Sequence, residues 1–313
     1  MGAKAPVAIF VYNRPDHTRR LLQSLARNPE FAESPITVFC DGPKPGDDLQ
    51  AIERTRATVR ELVPGSATLV ERDVNHGLAR SIIDGVTRLT DEHERVIVCE
   101  DDLIFSPHAL GFLNRALLHY RDEPRVMHVA AYMYPVDAEL PSAHFYREAT
   151  CWGWATWDRA WRRFDPDAKG LLDHVDDRAR KNRFNIEGSM YFHEMLRQQA
   201  TGAIDSWAIR WYASMFRADG LALHPGRSLV QNEGFDGTGV HCGRTDVFDV
   251  ELADDAPDAL PDDIQECAET VQAMIAYRAP LREKLAPRSG MKHRVFSLAK
   301  HLARRLQLWR TAA

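Results

Sequence analysis

The stretch Arg95-Val96-Ile97-Val98-Cys99-Glu100-Asp101-Asp102 decides how the chain is read. An unbroken apolar run of this length reads as a parallel strand buried on both faces. Three carboxylates follow it directly. Adjacent acids repel one another, a cost relieved by a cation or by exposure to water. One reading is a cation site at a strand end, because hard divalent ions take oxygen ligands and leave positions that diphosphate oxygens can fill. The other is a solvated acidic turn ahead of the helix that Ser106-Pro107 opens.

Toward the amino terminus the same kind of run recurs at 6–12 (PVAIFVY) and 35–40 (PITVFC), with a further strand at 67–72 (ATLVER). Between them, 16–27, 47–62 and 77–90 carry apolar residues at helical spacing. Strand and helix alternating through four strands predict an α/β, doubly wound, mainly parallel mixed sheet with helices on both faces. Such sheets bind ligands beyond the carboxyl ends of their strands. Those ends hold Asn13-Arg14, Asp41-Gly42, Asn75-His76-Gly77 and the acidic run, so four polar clusters are expected on one edge.

Toward the carboxyl terminus the pattern is less regular. The spacing predicts a helix over 106–121, a strand over 125–130 and helices over 187–200 and 205–218. The aromatic segment 150–164 (CWGWATWDRAWRRF) places Trp154, Trp157 and Trp161 on one helical face, which points to core packing. Trp152, beside Gly153, is the better candidate for stacking on a sugar. Residues 221–240 mix short extended runs with turns, Gly234 to Gly243 form a Gly-rich loop, and 253–263 reads as an exposed acidic loop.

The totals bound the function. A length of 313 residues, 44% hydrophobic and 27% charged, suits a globular protein with a sizeable core. The net charge of -5 gives no pull toward nucleic acid. Five scattered cysteines show no CxxC pair, against a disulfide framework or a thiolate zinc site. No run of about 18 apolar residues is present, and the apolar stretch near Met1 is too short for a signal peptide, so the expectation is a cytoplasmic chain. No Gly-rich run is followed by the Lys-Ser/Thr of a P-loop.

The set YNRPDHTRRLLQSL, CDGP, NHGLARS and VCEDDLIFSP resembles the nucleotide-sugar domain of GT-A fold glycosyltransferases. It is most similar to N-acetylglucosaminyltransferase I and bacterial family 2-like enzymes. The resemblance covers 6–120 well and 150–243 more loosely. It implies a GT-A domain over 1–250, with a nucleotide-sugar half (1–120) and an acceptor half (121–250), then an acidic loop and a C-terminal helical extension over 251–313. It implies Mn2+ or Mg2+ on Asp102, with Asp101 near the ribose and Glu100 supporting the turn. Asp41 would contact the base, and Arg14 the nucleotide or its phosphates, with Asn13 beside it. Arg80 would face the diphosphate, and Asn75 and Gly77 would form the turn that passes close to the donor. On the other side of the sugar, Asp205 would be the acceptor base of an inverting transfer. Trp207, Trp152, Gly153 and His241 would lie near the transferred sugar or acceptor. Asp205 also reads as a helix N-cap, and Glu187 and Glu194 are the other carboxylates weighed for the base.

The resemblance implies transfer from a nucleotide-sugar donor, a UDP-sugar such as UDP-GlcNAc being favoured, to a glycan or lipid-linked acceptor in surface polysaccharide synthesis. Two alternatives stand beside it. A sugar-nucleotide nucleotidyltransferase also uses strand-end carboxylates, but carries a Gly-rich basic loop where this chain has YNRPDH. A non-catalytic carbohydrate-binding protein would have no need of the acid run. Over 288–313 there are basic residues and no acids, with Val295, Leu298, Leu302, Leu306 and Trp309 at helical spacing. That segment reads either as a peripheral contact with the inner face of a membrane or as a helix docked on the domain.

Overall fold

The computed structural model describes residues 3–237 and 245–281. Its first half runs β1 (Val7–Val11), α1 (Pro15–Leu25), α2 (Pro29–Glu33), β2 (Ile36–Cys40), α3 (Leu49–Leu62), β3 (Thr68–Glu71), α4 (Leu78–His93), β4 (Arg95–Glu100), β5 (Leu103–Phe105) and α5 (Ala109–His119). The second half runs β6 (Val126–Ala130), β7 (Ala143–Tyr146), β8 (Trp154–Trp157), α6 (Asp158–Trp161), α7 (Ala168–Val175), α8 (Arg178–Phe184), α9 (Phe192–Ala200), α10 (Trp207–Arg217), β9 (Leu221–Pro225), β10 (Val230–Asn232) and α11 (Ala268–Arg278).

Eight strands form one sheet in the order β3-β2-β1-β4-β8-β6-β9-β7, and β5 pairs with β10 in a separate ribbon. The expected architecture, a doubly wound and mainly parallel mixed sheet, is the one observed. The three strands that read as continuous apolar runs are buried on both sides, which is why they lack alternation. Leu21, Leu22 and Leu25 of α1 and Val59 of α3 pack on one face of the sheet. Ile82, Val86 and Leu89 of α4 pack on the other. The chain therefore winds outward from β1 through β2 to β3, crosses to the opposite face with α4, and returns beside β1 as β4. The crevice beyond the carboxyl ends of β1 and β4 is the switch point of the winding, the place where doubly wound sheets bind ligands.

The aromatic segment departs from its helical reading. Trp154–Trp157 is a strand, antiparallel to both β4 and β6. Three-residue spacing suits a helix face, but in a strand it sends the side chains to opposite sides. Trp157 accordingly joins the core layer of α1 and α5, while Trp154 joins that of α4 and α10. Only Asp158–Trp161 is helical. The 253–263 segment is more tied down than a loose loop: Ser106 donates to the Ala253 carbonyl, Arg115 to Pro257 and Tyr120 to Pro261. It leads into α11, where the buried Arg278 guanidinium meets Glu148 Oε2 at 2.6 Å. The segment 288–313 lies outside the described residues, and among the described ones no helix is long and apolar enough to cross a membrane.

His128, His144 and His224 are buried in this second half, on β6, β7 and β9. His128 Nε2 donates to the Thr150 carbonyl at 2.9 Å, which leaves Nδ1 to accept from the Trp211 indole at 3.2 Å. That pairing requires the neutral ring, because a protonated Nδ1 would face the indole N–H. Burial lowers His128 to about 3, and His144 and His224 each to about 4. All three lie below the unfolded value of about 6.5, so the unfolded chain takes up protons first as the pH falls. Their contribution is complete above about pH 6.5 and is lost toward pH 4. Denaturant unfolding measured from pH 7.5 down to 4.5 is expected to lose about 1.4 kcal/mol per pH unit for each histidine once well below 6.5, or about 4 kcal/mol per unit together. A profile flat across that window contradicts the assignment.

Candidate active site

A cleft of about 290 Å³ opens at the switch point. Asn13 and Arg14 enter it from the end of β1, Asp41 from β2, and Asn75 and Gly77 from the turn before α4. Glu100, Asp101 and Asp102 form its wall at the end of β4, with Trp152, Asn232 and Gly234 also lining it. The four clusters expected on one edge thus share a single cavity. Tyr12, Lys44, Ser81 and Asn232 also line it without having been singled out in the sequence. Tyr12 and Ser81 lie at the ends of the YNRPDH and NHGLARS motifs, and Asn232 stands two residues ahead of the Gly-rich run.

The acids are held by Arg14. Register pairing sets Phe10 beside Glu100, so the chain leaving β1 passes directly over the acidic turn. Arg14 Nη2 donates to Asp101 Oδ1 and lies 2.9 Å from Asp102 Oδ2, while Nε reaches Asp101 Oδ2 at 3.3 Å. Asp101 is buried, and burial raises its carboxyl against the opposing pull of Arg14. Burial, then the charges of Asp102 and Asp101, push Glu100 up to about 8, with Arg14 again opposing. One guanidinium thus faces three acids. Among the described residues no group of three or more His, Cys, Asp or Glu is arranged to hold a metal ion unaided.

The ribbon of β5 and β10 finishes this wall. The Glu233 amide donates to the Asp102 carbonyl at 2.8 Å, and Asn232 Oδ1 accepts from the Gly234 amide at 2.7 Å. A Cβ added at Gly234 would stand 2.3 Å from Asp102 Oδ2, so a side chain there would force the Arg14-bound carboxylate to shift.

Asp41 is used differently. Its Oδ1 accepts from the Gly42 amide at 3.0 Å and the His76 amide at 2.9 Å, and its Oδ2 from the Gly77 amide at 3.0 Å. Asn75 Nδ2 returns a bond to the Gly42 carbonyl at 2.9 Å. Gly77 sits at φ 80°, in the region that favours glycine. The two loops clasp each other through the carboxylate expected to meet a base.

Several expected residues stand elsewhere. Arg80 is exposed and paired with Asp84 at 3.4 Å along the outer face of α4, because the cleft-facing position on that helix falls to Ser81. Trp207 is buried and stacks on Trp154 at 5.2 Å, which commits a face of its ring to the core. Gly153, at φ 67°, packs behind the cleft against Phe105 and Val230. Asp205 is neither a cleft-lining residue nor a helix cap. Ser206 caps α10, and Asp205 is exposed, 3.2 Å from Arg210. Glu187 and Glu194 are taken by Arg147 and Arg197. His241 lies outside the described residues.

No protein-family model and no curated protein matches the chain. Solved structures do resemble it. One is the mannosyltransferase PcManGT from Pyrobaculum calidifontis in complex with GDP-Man and Mn2+, at 14% identity over 69% of each chain and a TM-score of 0.38. Another is S. aureus TarS, at 18% identity over 44% of this chain and 23% of that one, TM-score 0.29. A third is GalNAc-T7 with UDP, GalNAc and Mn2+, at 8% identity over 72% of this chain and 43% of that one, TM-score 0.45. The chain spans less than half the length of the last two.

The contact between Gly234 and Asp102 gives a test independent of any ligand. Gly234→Ala is expected to cost about 1–3 kcal/mol by overpacking. In an Asp102→Ala background the same change should cost clearly less, because the struck carboxylate is gone. Additive losses in a denaturant double-mutant cycle would show that the two residues do not press on each other.

Proposed function

We propose that the chain is a nucleotide-sugar-dependent glycosyltransferase of GT-A architecture that transfers a hexosyl group to a hydroxyl of a glycan or lipid-linked acceptor. The single observation that carries the reading is the gathering of Arg14, Asp41, Asn75 and the Glu100–Asp102 run around one cleft at the switch point of a doubly wound sheet. In this reading residues 1–120 hold the donor and 121–250 the acceptor. A UDP-sugar is the favoured donor, and surface polysaccharide synthesis the favoured setting.

The donor set suits a divalent cation. The acids offer oxygen atoms only, and they outnumber the one guanidinium that touches them. Magnesium and manganese sites of this kind use one or two carboxylates and take their remaining ligands from phosphate and water. Asp102 would hold the ion, which when bound would offset the charge developing on the leaving diphosphate. Arg14 and Lys44 supply the protein's own positive charge among the residues lining the cleft. Asn75, Gly77 and the Asp41 clasp would keep the nucleoside end in shape, and the ring of Trp152 would border the sugar.

For the acceptor's proton we propose Asp205 as base. Helix α10 turns within three residues into β9, whose parallel partner β6 points the same way as β4 through the intervening antiparallel β8. A helix that reverses into such a strand starts toward the acid-bearing edge of the sheet, and this supports Asp205 as the acceptor-side carboxylate. Loss of the carboxylate in Asp205→Asn should reduce transfer by on the order of 10²- to 10⁴-fold while nucleotide affinity stays unchanged. Full transfer by this variant reassigns the base.

The function is tested first by thermal shift with UDP-, GDP- and CDP-sugars, with and without Mn2+. A rise in Tm that needs both nucleotide and metal is expected for the native chain and should be absent in Asp102→Ala, whose own Tm stays near that of the native protein. A metal-independent rise equal in both proteins would overturn the place given to Asp102.

A further inference from the structure

Arg14 sits where it cannot serve the donor without first leaving a partner. Its guanidinium touches Asp101 through two nitrogens and Asp102 through one, at 2.9 Å from Oδ2. Gly234 lies beside that same Oδ2, which a Cβ added there would meet. A cation approaching Asp102 without nucleotide meets a carboxylate already bound by a positive group, and no three-residue ligand group among the described residues compensates. Both the desolvation of a second cation and its repulsion by the guanidinium oppose entry.

We propose that Arg14 is a built-in counter-ion that withholds Asp102 from a divalent cation until a nucleotide diphosphate draws the guanidinium away. The inference rests on the glycosyltransferase reading above. Exchange is inexpensive because Arg14 need not be stranded. Asp101 is buried and keeps its own bonds to Arg14 when the Asp102 contact is released. The guanidinium carries five donors in a planar fork that matches phosphate oxygens as well as carboxylate. A diphosphate brings negative charge to both cations at once, so it accepts the freed N–H groups and offsets the repulsion between Arg14 and the metal. Metal and nucleotide must then favour each other's binding by the same factor. Arg14 is a positioning residue here, acting through Asp102.

The test titrates the full chain with Mn2+ and follows the free ion by electron paramagnetic resonance, first alone and then with saturating UDP or GDP. The native protein is expected to bind Mn2+ weakly alone and much more tightly with nucleotide. Arg14→Gln, which removes the charge, should bind Mn2+ alone at least about tenfold more tightly than the native chain and gain less from nucleotide, the difference lying within ordinary coupling factors. Arg14→Lys keeps a charge but loses the fork that bridges both acids, so it should fall between the two. Circular dichroism and Tm report folding, and if Arg14→Gln does not fold, Arg14→Lys decides alone. Unchanged Mn2+ affinity in the folded variants, with nucleotide tightening the metal equally in all proteins, overturns the inference and leaves the glycosyltransferase reading intact. A native chain that binds no Mn2+ even with UDP or GDP overturns both.

Discussion

The site depends on an excess of negative charge at the crevice between β1 and β4. Each unit pair at about 4 Å is worth roughly 4 kcal/mol at the effective dielectric of a protein surface, so three clustered acids set strong terms for whatever surrounds them. The fold meets part of that demand by pairing β1 with β4 in parallel, which brings Phe10 level with Glu100 and drops Arg14 onto the acidic turn. The rest is left facing the cleft. Around it the chain makes room rather than adding charge: Gly234 yields to the Asp102 carboxylate, and the Glu233 amide fixes the carbonyl of the same residue.

Contrasting the two kinds of acid at this edge separates architecture from chemistry. Asp41 is saturated by three backbone amides and has Arg72 at 3.8 Å, so its charge is spent on holding two loops together. Among the described residues, the carboxylates of Asp101 and Asp102 accept no backbone amide and share one guanidinium. A buried acid with complete local bonding stabilises the shape of a pocket, whereas acids short of positive partners suit a ligand that supplies charge. The carboxylate expected to read a base is thus the one most committed to structure.

This difference also explains what the sequence could disclose. Strands buried on both faces announce themselves as apolar runs, so β1, β2 and β4 were legible, and with them Asn13, Arg14, Asp41 and the acid run. The turn at Asn75 and Gly77 was legible because a positive φ calls for glycine. Arg80 was misplaced because neighbouring positions on a helix face differ by about 100°, which turns Ser81 inward and Arg80 out. The tryptophan spacing fits helix and strand alike, and only pairing with β4 and β6 decides it. Asn232 and the clasp of Asp41 arise from contacts across more than 30 residues, which no local pattern carries.

The cleft wall at Trp152 shows why the second half of the chain belongs to the same site. Trp152 packs edge-on against Tyr132, Phe235 and Phe248 at 4.6, 5.4 and 5.5 Å, and Tyr134 borders this group. Tyr134 donates to Glu148 Oε1 at 2.8 Å, and the other oxygen of that carboxylate accepts from Arg278. A fully buried ion pair is costly to create and costlier to break, because a lone charge would be left in the core. Placing one at the end of α11 therefore makes the docking of that helix all-or-none. The cleft wall that holds Trp152 is fixed through Tyr134 to the same pair. The segment after residue 250, which reads in the sequence as a loop and a tail, is through α11 a structural support of the cleft.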